Sequence, residues 1–289
     1  MTIGTKAAII DALRRIDMDF ITVINKALPL ANQYFAQLKM GSALLGSAAE
    51  VNCVLSKIKS HPVTRGVIRQ LQRESHLETV MDYIMLLFQC RIDRICECHK
   101  EVNEVHDNYE PYRSSIFLPF EAFEDIRMQQ KSPEEIIELY FCCTTTGERY
   151  NMNSIQKIYF ISKAVDSSNI WVLYIVDIEL RAINYLDPRR SSTEMLSNDV
   201  TAHLNYAKDV FTVFMQALIP DYGGNWSCNC FVSYYFSPLS IAYAYDSGLY
   251  ITAAVYFICN DVPLFFDQGT IDRLRLKLAY WLLVEELPV

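Results

Sequence analysis

The run Asn169-Ile170-Trp171-Val172-Leu173-Tyr174-Ile175-Val176-Asp177 is apolar without interruption from Ile170 to Val176, and it leads to Ile183-Asn184-Tyr185-Leu186-Asp187. Such a run reads as a strand. Strands at Trp171 to Ile178 and Ala182 to Leu186, joined by a tight turn near Ile178-Glu179, pair residues whose numbers sum to about 357. Ile170 and Asp187 satisfy that sum, so the register predicts them opposite one another at the open end of the hairpin. Taken by itself, Asp187-Pro188 reads as a strand terminator before a turn.

The rest of the chain is bounded by a few counts. A chain of 289 residues, 51% of them hydrophobic, has ample capacity for a core in one large or two smaller domains. The net charge of −8 argues against a general nucleic-acid binder. No apolar run reaches the ~20 residues needed to span a bilayer, so no membrane partner is expected. The N-terminus lacks a secretory h-region and cleavage site. With that, nine cysteines, an odd number, are expected to be reduced thiols in an intracellular compartment, cytoplasmic or nuclear.

Residues 1–110 read as a helical region of three to five helices, because apolar residues recur at three- and four-residue steps in Ile9-Ile10-Leu13, Phe20-Val23-Ile24-Leu28 and Val80-Tyr83-Ile84-Leu87. Gly41 and Gly46 mark a break, and Pro62 is expected to start a helix. The character changes at Asn108-Tyr109-Glu110-Pro111-Tyr112-Arg113, which places a second domain at 111–289. There a strand at Ile155 to Ile161 joins the two already named. Helical patterns stand at Pro133 to Cys142, Ser197 to Leu218, Phe231 to Ala244 and Ile271 to Glu286. The mixture indicates an α+β domain.

Several of these motifs together resemble the Ulp/sentrin family of ubiquitin-like-protein-specific cysteine proteases, over about residues 112–289. In that family a histidine stands immediately before the tryptophan of the hairpin, and an aspartate orients it from the partner strand. Here that position is Ile170, beside Trp171, and Asp187 is kept. Gly223-Gly224-Asn225-Trp226-Ser227-Cys228-Asn229 is similar to the family's Gln-x-x-x-x-Asp-Cys-Gly segment, which opens a buried helix. The match puts Cys228 on the nucleophile, Ser227 on the aspartate, Asn229 on the glycine and Tyr222 on the oxyanion glutamine. Phe266-Asp267-Gln268, running into a helix with an early arginine, is similar to the family's closing pattern. Ser114 to Ile126 is similar to its helix-opening segment without the usual tryptophan. The resemblance implies a papain-like α+β fold whose groove would bind through Trp171, Trp226 and Asn229. Read without it, Cys228 and Cys230 are small buried hydrophobes.

An imidazole base cannot be replaced by a sec-butyl group. Among the five histidines, only His203 lies near the nucleophile segment, in the helix before it. Cys96, Cys98 and His99 do not make a zinc site, because Cys96 and Cys98 diverge on one helix. Gly223-Gly224 lacks the Lys-Ser/Thr of a phosphate loop. No metal or other cofactor is therefore expected.

The expected function is that of a catalytically inactive protease-like protein acting through a protein partner, with a ubiquitin-like modifier as one candidate. The alternatives are a divergent active peptidase or deconjugase using Cys228, and an adaptor binding mainly through the helical region. Oligomeric state is not legible in the chain.

Overall fold

The computed structural model describes residues 54–71, 77–103, 114–128, 130–144, 146–151, 154–164, 167–189, 198–218, 227–230, 245–260, 264 and 266–284. Outside them lie the helical patterns at 9–13 and 20–28, the break at Gly41 and Gly46, the domain boundary expected near residue 110, Tyr222, Trp226, and the helix expected at 231–244. In chain order the elements are β1 (Val54–Ile58), β2 (His61–Thr64), α1 (Arg65–Gln70), α2 (Glu78–Asn103), β3 (Ser114–Leu118), α3 (Phe120–Arg127), α4 (Pro133–Tyr140), β4 (Ile155–Ala164), β5 (Ser167–Asp177), β6 (Ala182–Leu186), α5 (Asn198–Leu218), β7 (Ser227–Cys230), α6 (Ser247–Cys259) and α7 (Gln268–Val284). They fall into two compact units, Met1–Leu87 with Ser233–Val289, and Phe88–Val232.

In the first unit, residues 54–64 correct the expectation of helix. They form an antiparallel hairpin in which Ile58 pairs with His61 and Lys57 with Pro62. The cause is a period of two: Ser56 and Ile58 are buried while Lys57 between them is exposed. Lys59 takes a φ of 55° in the two-residue turn, the left-handed conformation that hairpin turns of this length require. Pro62 has no N–H to donate and fits a strand with a single partner. The Ser56 hydroxyl donates to the Leu282 carbonyl at 2.7 Å, tying β1 to α7. α6 is buried from Ser247 to Phe257, on every face.

The second unit is a five-stranded mixed sheet in the order β3-β4-β5-β6-β7, with parallel pairs at both ends and the antiparallel β4-β5-β6 meander between them. Phe160, Tyr174 and Tyr185 are register partners across β4, β5 and β6. Against this row pack Phe123 of α3 and Phe211 of α5, with ring centroids 4.7 to 6.2 Å apart. Phe141 and Phe214 extend the cluster. On the other face Phe117 and Tyr159 stack at 4.7 Å, and Phe88 of α2 stacks on Phe117 at 5.4 Å. α4 starts at Ser132-Pro133 with a capping box: Ser132 Oγ accepts from the Glu135 N–H, and the Glu135 carboxylate accepts from the Ser132 N–H.

A polar cluster anchors α2 to this unit. Asp93 Oδ1 accepts from Gln89 Nε2 at 2.9 Å and from the Tyr150 hydroxyl at 2.6 Å. Its Oδ2 accepts from the Thr144 N–H at 2.7 Å and from the Thr144 hydroxyl. Gln89 Oε1 accepts the Phe117 N–H at 2.8 Å.

Two expectations for the sheet are corrected. The β5–β6 register is shifted by two residues: Asp177 pairs with Ala182 and Leu173 with Leu186. The connection is a four-residue loop at 178–181, in which Asp177 Oδ1 accepts the Leu180 N–H at 2.9 Å and Arg181 takes a φ of 50°. The second correction concerns 227–230, expected to open a helix. They instead form β7, parallel to β6, with Cys228 beside Ile183 and Cys230 beside Tyr185. The free edge of β6 claims these backbone groups for its ladder.

Candidate functional site

The hairpin end carries the first half of the candidate site. With Leu173 opposite Leu186, the next step of the ladder sets Asp187 beside Val172 and makes Ile170 its diagonal neighbour on the same face. Diagonal neighbours lie about 7–8 Å apart, within reach of a long or aromatic side chain. The sequence therefore put Ile170 and Asp187 on one face correctly, but as diagonal and not opposite partners. Ile170 is buried, at 4% exposure, and no base occupies its position.

Asp187 is engaged from its own strand end. Its carboxylate is fully buried. Oδ1 accepts from the Arg189 N–H at 2.9 Å and from Arg189 Nε at 3.0 Å. Oδ2 accepts from Arg189 Nη2 at 2.6 Å and from the Tyr185 hydroxyl at 3.4 Å. The guanidinium fork matches the two carboxylate oxygens.

Trp171, expected to contribute to binding, is 2% exposed. Phe120 meets its ring edge-on at 5.3 Å, and Lys163 Nζ sits 3.7 Å above its centroid. The lysine charge and the ring quadrupole attract one another there.

Cys228 and Asn229 lie on β7. The ladder places Cys228 at Ile183, four residues before Asp187 along β6. At the rise of a strand that is about 13 Å. A Cys-His-Asp relay passes through a single imidazole and requires much closer members. The described structure therefore does not bring Cys228 to Asp187. His203 falls within α5. Among the described residues, no three or more His, Cys, Asp or Glu side chains gather as metal ligands. Nor, among them, is any helix long and apolar enough to cross a membrane.

The first unit holds a feature that sequence reasoning missed. The buried helix α6 opens at Asp246-Ser247-Gly248, and both Asp246 and Ser247 are buried. The triplet repeats the Asp-Cys-Gly pattern at the head of a buried helix, with serine in the place of cysteine. Asp246 does not cap its own helix. Its Oδ2 accepts from Gln268 Nε2 at 2.8 Å, and its Oδ1 accepts from Arg275 Nη2. Gln268 Oε1 in turn accepts from the Tyr250 hydroxyl at 3.0 Å. Gln268 belongs to the closing pattern read at Phe266-Asp267-Gln268 and Arg275 follows it on α7, so two side chains of one segment meet at the Asp246 carboxylate. The signal in the sequence was Asp-Ser-Gly directly before the largely apolar stretch Leu249 to Cys259. A search fixed on cysteine passes over it.

No family model matches the sequence, and no curated protein matches it. Among solved structures the chain is similar to the SUMO protease Ulp1 with its catalytic cysteine oxidised to a sulfenic acid. The TM-score is 0.55 at 14% identity, over 98% of this chain and 95% of that one. It is also similar to the C-terminal Ulp1 protease domain in complex with Smt3, the yeast ortholog of SUMO. There the TM-score is 0.58 at 13% identity, over 99% of this chain and 96% of that one. At these identities the likeness is one of fold: the chain has the α+β fold of the Ulp-type cysteine proteases.

Proposed function

We propose that this chain is a hydrolytically inactive Ulp-protease-like protein that works by binding another protein. The observation that carries the reading is Ile170. In this reading it occupies the place of the general base, and a saturated side chain has no lone pair with which to take a proton from a nucleophile.

A second residue supports it. In this reading Ser247 rather than Cys228 takes the place of the nucleophile, because Asp246-Ser247-Gly248 heads a buried helix whereas Cys228 lies within a strand. A serine hydroxyl is a far weaker acid than a thiol and depends more heavily on an adjacent base.

What the fold retains is a surface for a partner. A ubiquitin-like modifier is the candidate of choice, by analogy with the Ulp1 domain held in complex with Smt3. The same reading places the protein inside the cell, in the cytoplasm or nucleus. The thiols of Cys90, Cys96, Cys142, Cys143 and Cys259 accord with a reducing compartment.

The test exposes the purified chain to ubiquitin-like modifiers bearing C-terminal thiol-reactive warheads. C228A is run alongside, and unmodified modifiers are assayed for binding by calorimetry. The expected result is binding without covalent capture. Capture that disappears in C228A would overturn the inactive reading. Absence of binding to every modifier would remove that class of partner.

A further inference from the structure

The acid of the hairpin is not an idle remnant. We propose that Arg189 has taken over Asp187, converting a carboxylate placed to orient a base into a fastener for the end of β6. The inference rests on the reading of Ile170 as standing in the base's place.

Three observations carry it. The Asp187 carboxylate is fully buried, so its charge needs a partner, and Arg189 supplies both its backbone N–H and its guanidinium. Both oxygens are occupied, with Arg189 Nε bridging them at 3.0 and 3.2 Å. The Tyr185 hydroxyl adds a contact to Oδ2 from the same strand face. A carboxylate has about four lone-pair directions, and the Arg189 and Tyr185 contacts leave both oxygens already engaged. The guanidinium's positive charge would also oppose a second cation, such as an imidazolium, near Asp187. Arg189 is thus a second obstacle to catalysis, separate from the missing base: restoring a histidine beside Trp171 would not restore its orientation.

The first experiment compares denaturant midpoints of the full chain, D187N, R189Q and D187N/R189Q. Each single variant is expected to lower the midpoint, and the double variant to lose no more than the worse single one. Additive losses, or a D187N variant as stable as the parent, would overturn the inference. The second experiment is read by proton and nitrogen NMR of the imidazole that I170H introduces. A far-downfield Nδ1 proton, hydrogen-bonded to carboxylate, is expected in I170H/R189Q and not in I170H. Its presence in both variants, or its absence from both, would overturn the proposal. Hydrolysis of a modifier substrate by the unaltered chain would instead remove the inactive reading and leave the Asp187–Arg189 coupling to be judged by the midpoints alone.

Discussion

Arg275 grips Asp246 from twenty-nine residues away, donating from Nη2 to Oδ1, while its Nη1 donates to the Leu71 carbonyl at 2.8 Å. One guanidinium thereby fastens the start of α6 and the end of the α1 segment to α7. The carboxylate is 3% exposed and the arginine side chain 17%. Removing one partner of a pair this buried leaves a charge without compensation, at a cost of about 3–5 kcal/mol. R275M is therefore expected to lose roughly 3 kcal/mol in urea unfolding, with D246N/R275M losing less than the two single variants combined. A loss below about 1 kcal/mol would mean that the pair behaves like one on the surface.

Turnover should not return with a single change. I170H supplies an imidazole but leaves Arg189 on Asp187. Loss of any one member of such a triad lowers the rate by several orders of magnitude. A fluorogenic C-terminal amide of a ubiquitin-like modifier is expected to remain uncleaved by I170H. Substantial hydrolysis would show that the remaining groups suffice.

Phe123 touches Phe160, Tyr174 and Phe211 at centroid distances of 6.2, 5.3 and 5.6 Å, and is 2% exposed. Emptying that position leaves a cavity among rings held by two strands and a helix. F123A is expected to cost about 3–5 kcal/mol. Near-ultraviolet circular dichroism should weaken in parallel, and an unfolding midpoint close to the parent's would contradict the packing described.

Stability should depend on pH through one buried and one half-buried group. Burial pushes the Lys277 amine from its ordinary 10.5 down to about 7. Between those values the unfolded chain holds a proton that the folded chain has released. Stability therefore rises with pH across the window, by up to about 1.4 kcal/mol per unit. Tyr150 works in the opposite sense. Burial, then the hydrogen bond to Asp93, raises its phenol well above the ordinary 10.0. Above about pH 10 the unfolded chain ionises first, and stability falls. Denaturant midpoints measured from about pH 6 to 11 should climb and then decline. K277M should abolish the climb and exceed the parent at pH 7. A parent profile that is flat between about 7 and 10 would rule out the lysine's part in this.

The sequence disclosed what local pattern determines. Ala182–Leu186 and the end of α5 at Leu218 fall where the apolar runs end. The hairpin register was missed because its four-residue loop carries no glycine: Arg181 adopts the left-handed turn conformation, and the Asp177 carboxylate stabilises the loop. β1 and β2 escaped for a similar reason, with Lys59 at the turn and Pro62 inviting a helix start. α6 was hidden because it is buried on all sides, so its apolar residues show no stripe of period 3.6. Asp246-Ser247-Gly248 at the head of α6 was passed over with the helix. Arg189 could not be foreseen from propensity or spacing, because its hold on Asp187 depends on the chain turning back at Pro188.

The side chain of Gln89 also decides where the sheet stops. Among the described residues β3 is the outermost strand beside β4, and an outermost strand ordinarily offers unpaired N–H groups to any passing chain. At Phe117 that offer is withdrawn, because an amide oxygen from α2 already accepts the N–H at 2.8 Å. A stray strand arriving there would have to displace a glutamine whose other end is locked to Asp93 and Tyr150. The cluster that anchors α2 thus also guards this margin against domain swapping and fibrillar growth.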